Sequence, residues 1–116
     1  MTTLTIYHNP RCSKSRQTLQ LLQENDQDPE IVQYLKTPLN KQQLQQLVQL
    51  LDCSVRDIIR TSEAEYKENN LADASLSDQQ LLDAIVETPK LMQRPIVVNG
   101  KKAAIGRPPE DVLKII

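Results

Sequence analysis

Between Pro38 and Pro89 every local signal in this chain is helical, which confines any β-sheet to the two ends of the sequence. Leu44, Leu47, Val48 and Leu51 fall at i, i+3, i+4 and i+7, the spacing that gathers apolar side chains on one helix face. Asn40 before them, with Gln43 three residues later, forms a capping-box pattern. Val55, Ile58 and Ile59 repeat the helical spacing after Ser54. Ser77-Asp78-Gln79-Gln80 is a second capping box, with Leu76 and Leu81 placed as a hydrophobic staple across it. Leu82, Ile85 and Val86 carry that helix to Pro89. The glutamines between Gln42 and Gln49 are interspersed with leucines in helical register, so they read as a solvated helix face and not as low complexity.

The ends of the chain have a different pattern. Thr3–Tyr7 reads as a short strand, broken by His8-Asn9-Pro10-Arg11-Cys12, where Asn9 favours a turn and Pro10 lacks a donor. A helix is predicted from about Ser13, with Leu19, Leu21 and Leu22 as its stripe and Asp26 to Pro29 as its end. Ile31, Val32, Tyr34 and Leu35 suggest a second strand. After the helical block, Pro95-Ile96-Val97-Val98 is rich in β-branched residues, and Asn99-Gly100 is a strong hairpin signal. Ala103, Ala104 and Ile105 make the return strand, which Gly106 stops. Pro109 suits a first helical position and Glu110 and Asp111 a first turn, with Val112, Leu113, Ile115 and Ile116 as the buried face. Without the block, β-α-β followed by β-β-α remains, which is the thioredoxin arrangement. The expected class is therefore α/β, a thioredoxin-like fold with a helical insertion between the second and third strands. A chain of 116 residues is expected to be a single domain (1–116), with its core in 1–37 and 90–116 and the helical insert in 38–89. With no Phe or Trp, Leu, Ile and Val must fill that core.

Charge and cysteine usage narrow the function. Fourteen basic residues nearly balance 15 acidic ones, leaving a net charge of −1 and no global field for nucleic acid or an anionic membrane. Any anion must be bound by a local cluster. Met1 to Tyr7 is too short and interrupted for a signal peptide, and no apolar run approaches the roughly 20 residues of a bilayer span. The expected location is the cytoplasm, where Cys12 and Cys53 are not expected to form a structural disulfide.

Cys12 lies between a strand and a helix, where free N–H groups favour an anion. Arg11, Lys14 and Arg16 are near it in sequence, and His8 precedes it; all favour thiolate. An ordinary thiol titrates near 8.5, so mostly thiolate at neutral pH requires a drop of about two units, or roughly 2.7 kcal/mol. A helix terminus supplies about 0.3–1 kcal/mol, up to roughly 2 when partly buried, so a hydroxyl or cation must add to it. Ser15, one turn on, is placed to donate a hydrogen bond to the sulfur. Its presence three residues after Cys12 also excludes a Cys-x-x-Cys pair. Thr18 stands where a phosphatase loop of the Cys-x5-Arg type needs Arg. One His and two Cys fall short of a zinc site, so no metal is expected. Gly100 and Gly106 are the only glycines, too few for a phosphate-binding loop. Cys53 follows an apolar helix face and reads as packing.

His8-Asn9-Pro10-Arg11-Cys12-Ser13-Lys14-Ser15-Arg16, Gln93-Arg94-Pro95-Ile96-Val97 and Ile105-Gly106-Arg107-Pro108-Pro109 together resemble the glutaredoxin-dependent arsenate reductase family, over nearly the whole chain. The resemblance implies that Cys12 is the nucleophile, attacking arsenate to give a covalent thiol–arsenate. It implies glutathione as co-substrate and glutaredoxin as the partner that regenerates the enzyme, with no bound cofactor. It also implies Arg60, Arg94 and Arg107 as oxyanion ligands, joined here by Arg16, and Pro95 as a cis-proline facing the cysteine. His8 reads either as a solvated turn residue or as a group that raises the thiolate fraction, and Arg60 either as a ligand or as a cation at a helix end. Ser13-Lys14 replaces the Gly-Thr that usually follows the cysteine in the family's arsenate-resistance members. A monomer is expected. The other functions considered are a glutathione-linked thiol oxidoreductase acting on another substrate and an Spx-type regulator that binds RNA polymerase.

Overall fold

A computed structural model of the chain describes residues 4–116. Met1, Thr2 and Thr3, the last being the expected first residue of the opening strand, lie outside the described residues. The chain groups into two compact units, one running up to Thr37 and taking in Arg94–Ile116, the other formed by Pro38–Gln93.

The first unit is built on a four-stranded sheet in the order β2-β1-β3-β4. Its elements are β1 (Leu4–Tyr7), α1 (Ser13–Glu24), β2 (Glu30–Val32), β3 (Ile96–Asn99), β4 (Lys102–Ile105) and a closing 3₁₀ helix (Pro109–Ile115). β1 runs parallel to β2, with Ile6 opposite Ile31, and antiparallel to β3, with Ile6 opposite Val97. β3 and β4 form the predicted hairpin with Asn99 opposite Lys102, so the two loop residues are Gly100 and Lys101. Gly100 takes φ 62°, the conformation that a glycine at the first loop position supplies without strain. Leu4 and Ile6 of β1, Leu22 of α1, Val97 of β3 and Val112 of the closing helix make the core, with Leu19, Ala104 and Ile115 packed against it. This is the thioredoxin-like α/β arrangement.

The second unit enters the chain between β2 and β3. It contains α2 (Lys41–Leu51), a 3₁₀ turn (Val55–Ile58), α3 (Ala64–Glu68), α4 (Asp78–Glu87) and another 3₁₀ turn (Pro89–Leu91). Both predicted capping boxes form: Asn40 and Gln43 cap α2, and Ser77 and Gln80 cap α4. Leu81, Leu82 and Ile85 are buried on α4, which packs on α2 and on both 3₁₀ turns. Among the described residues no helix is long and apolar enough to cross a membrane.

Three local expectations change. The second strand stops at Val32; Gln33 accepts from the N–H groups of Lys36 and Thr37, and this turn carries the buried Tyr34 and the exposed Leu35. Ile59 does not continue a helix but is extended and bridges Met92. The closing helix buries Pro109 and Val112, while Leu113 and Ile116 stay 37% and 40% exposed. A 3₁₀ helix has three residues per turn, so Pro109, Val112 and Ile115 share one face where an α-helix would have turned Leu113 and Ile116 inward as well. Val112→Ala is accordingly expected to cost roughly 2 kcal/mol in denaturant unfolding. Leu113→Ala is expected to change stability by no more than about 0.5 kcal/mol.

Candidate active site

The turn between β1 and α1 is written in the residues His8 to Cys12. Asn9 accepts from the Cys12 N–H at 3.0 Å through its carbonyl and from the Arg11 N–H at 3.0 Å through Oδ1. Asn at the first position and Pro10 at the second are the side chains this turn favours. The turn leaves Cys12 as the residue that caps α1, with extended backbone (φ −94°, ψ 122°), while its carbonyl already accepts the Arg16 N–H at 3.0 Å.

Cys12 is partly exposed, and its thiol is shifted below the usual range. Burial by itself pushes the thiol up. The N–H of Ser15, the Arg94 side chain and the N–H of Lys14 push it down, and together they outweigh the burial. Arg107 adds a second guanidinium, with Nη2 3.5 Å from Sγ. Arg94 and Arg107 are bound to each other, Arg107 Nε donating to the Arg94 carbonyl at 2.8 Å. The Arg94–Pro95 peptide is cis, as the resemblance implies; Arg107–Pro108 is cis as well, which sequence reading does not anticipate.

Ser15 acts differently from its expected role. It is fully buried on α1, and its hydroxyl sits 2.6 Å from His8 Nδ1 and accepts from the Asn9 N–H at 3.0 Å. Because the side chain turns into the His8–Asn9 loop, what Ser15 offers the sulfur is its backbone N–H. His8 is buried too, so it is not a solvated turn residue. Burial, and then the Arg16 cation, push its pKa down, which favours the neutral ring. Arg11, Lys14 and Arg16 all have exposed side chains, and Arg16 Nη1 makes a long contact of 3.4 Å to the Pro10 carbonyl. The cationic groups on the sulfur therefore come from remote sequence.

Arg60 belongs to the other unit. There its N–H donates to the Leu91 carbonyl at 2.7 Å, beside the Ile59–Met92 bridge, and its Nε lies 3.2 Å from Glu63 Oε1. Cys53 has its thiol pushed up, first by burial and then by Asp57 and Asp52, which keeps it protonated at neutral pH. Sequence reading misses Asn9, Thr18 and Gly106, all buried in the unit that carries Cys12. Asn9 had a signal in its place before Pro10, and Gly106 one in its place at the strand end before Arg107-Pro108.

The lowered Cys12 pKa means that the thiolate forms at lower pH than an ordinary thiol. In a Cys53→Ser background, the ultraviolet absorbance of thiolate is expected to titrate with a midpoint below that of an ordinary exposed thiol. Arg94→Ala removes a cation and a donor, so its midpoint is expected to move up.

Residues 7–115 match the ArsC family. The chain is 57% identical over 112 residues to the uncharacterized protein YfgD of Escherichia coli strain K12, covering 96% of this chain and 94% of that one. It is 47% identical over 112 residues to the arsenate reductase of Haemophilus influenzae, covering 96% and 97%. The solved structure of an arsenate reductase from Vibrio cholerae superimposes with a TM-score of 0.97 at 47% identity, over 99% of this chain and 98% of that one. With a family match over nearly its whole length and relatives this similar end to end, the chain belongs to the ArsC family.

Proposed function

We propose that the protein is an arsenate reductase whose nucleophile is the Cys12 thiolate. The observation that carries this reading is a partly exposed sulfur at a helix start with the guanidinium groups of Arg94 and Arg107 on it. Arsenate is a tetrahedral oxyanion, a mixture of monoanion and dianion at neutral pH. A thiolate attacking it meets charge repulsion, and a net charge of −1 supplies no general field to offset this. Guanidinium forks at the sulfur do, and they match paired oxygens better than an ammonium does. Arg16, exposed one turn into α1, is the further ligand in the proposed set, and Pro95 is the structural residue that joins Arg94 to β3.

In the proposed reaction the sulfur forms a bond to arsenic, and one arsenate oxygen leaves as water after taking up protons. Arsenic is still pentavalent in this adduct. Its reduction to the trivalent state needs an electron pair, and no cysteine follows three residues on to supply it. External thiols do so. Glutathione attacks the adduct, glutaredoxin completes the exchange, and two thiols end as one disulfide while arsenite and the Cys12 thiol are released. No bound cofactor enters this scheme. His8 holds the Ser15 hydroxyl and so keeps the first turn of α1 aimed at the sulfur. The same reading places the protein in the cytoplasm, where glutathione keeps thiols reduced, acting as a monomer.

The test is arsenate reduction with glutathione and glutaredoxin. The wild-type protein is expected to turn over and Cys12→Ser to be inactive; turnover retained in that variant would refute the proposal. Arg94→Ala and Arg107→Ala are each expected to lower kcat/KM on the order of a hundredfold, the cost of one charge-assisted contact that tightens in the transition state.

A further inference from the structure

We propose that Thr18 and Gly106 are positioning residues whose mutual contact holds the Arg94 and Arg107 guanidinium groups on the Cys12 sulfur. The inference rests on the reading of Cys12 as the nucleophile, and it assigns a task to two residues that do not touch the sulfur.

Thr18 follows Ser15 on the buried stripe of α1 and is 0% exposed. Its hydroxyl donates to the Lys14 carbonyl at 2.8 Å. That carbonyl and the Ser15 N–H belong to one peptide group, and the Ser15 N–H is a donor that bears on the sulfur. A hydrogen bond at the oxygen of a peptide polarises it and strengthens its N–H as a donor. Thr18 thus acts on the sulfur from behind, through a single peptide plane.

The same hydroxyl, with the methyl beside it, faces Gly106. A Cβ on Gly106 would lie 2.6 Å from Thr18 Oγ1, 2.7 Å from Pro95 Cγ and 3.1 Å from Thr18 Cγ2. Neither neighbour swings aside freely, since the Thr18 hydroxyl is held on the Lys14 carbonyl and the proline atom belongs to a ring. Gly106 is also tied to Pro95, its N–H donating to the Pro95 carbonyl at 2.9 Å. One residue further on, Arg107 Nε donates to the Arg94 carbonyl. Arg94-Pro95 and Gly106-Arg107 are therefore strapped together at two points. The contact with Thr18 sets how far this pair stands from the helix that begins at Cys12. Any side chain at residue 106 would push the two apart and carry the guanidinium groups away from the sulfur.

The test is titration of the Cys12 thiol in a Cys53→Ser background, by thiolate absorbance and by the pH dependence of alkylation with iodoacetamide. Gly106→Ala is expected to raise the midpoint by roughly half a unit, which below the midpoint lowers the thiolate fraction about threefold. Thr18→Val keeps the shape and removes the hydroxyl, so it is expected to move the midpoint in the same direction by less. Thr18→Ser restores the hydroxyl and is expected to titrate like wild type. Val112→Ala, which weakens the core away from the site, is expected to leave the midpoint in place, separating positioning from lost stability. Wild-type midpoints in both Gly106→Ala and Thr18→Val overturn the inference; if Gly106→Ala does not fold, an unshifted Thr18→Val overturns it alone. The titration contains no arsenate, so a wild-type protein that fails to reduce arsenate would remove the proposed substrate without touching this result.

Discussion

A sulfur anion that is partly withdrawn from water loses hydration that something else must replace. At Cys12 burial works against ionisation, and the thiol is nonetheless shifted toward thiolate. The replacement comes from two directions. The first turn of α1 turns unpaired N–H groups toward the sulfur, a consequence of where the helix starts. The antiparallel pairing of β3 with β1 brings the start of β3 to the end of β1, with Ile96 opposite Tyr7, and so places Arg94 near the turn that carries Cys12. β4 runs back along β3 with Ile105 opposite Ile96, which delivers Arg107 to the same place. The sheet register is thus what gathers charges separated by most of the chain.

This arrangement explains why a nearly neutral protein can hold an anionic site. Arg11, Lys14 and Arg16, adjacent to Cys12 in sequence, have exposed side chains that water screens. Arg107 is partly buried, and its orientation is fixed by a bond to the Arg94 carbonyl. Two held guanidinium groups do more for a nearby anion than three solvent-exposed cations.

The features legible in sequence were those settled by short-range chemistry. Asn40 with Gln43 and Ser77 with Gln80 cap their helices, and Asn9-Pro10 makes its turn, because each needs only neighbours within three residues. The hairpin was legible for the same reason, although its loop begins at Gly100 and not at Asn99. What escaped was decided by partners far along the chain. Ile59 carries the apolar signature of a helix but is drawn out straight by Met92. Tyr34 looks like a strand residue because it is buried, yet it is buried from a turn. The spacing from Cys12 points the Ser15 hydroxyl at the sulfur, whereas His8 and Asn9, on the preceding turn, engage it instead. Thr18 carried no pattern and Gly106 showed only as a strand stop within a motif, because a close contact between two small residues leaves no trace in periodicity.

The sheet has two outer strands, and each is poorly suited to templating. β2 is only three residues long, and although its Ile31 is 46% exposed, so short a run offers few free backbone groups to a newcomer. β4 begins at the exposed Lys102, just after the exposed Lys101, so its open border starts with cations that repel a like neighbour. A ribbon from another molecule would find one margin too brief and the other guarded by charge. Both margins of the sheet thus work against the edge-to-edge pairing by which separate copies would join.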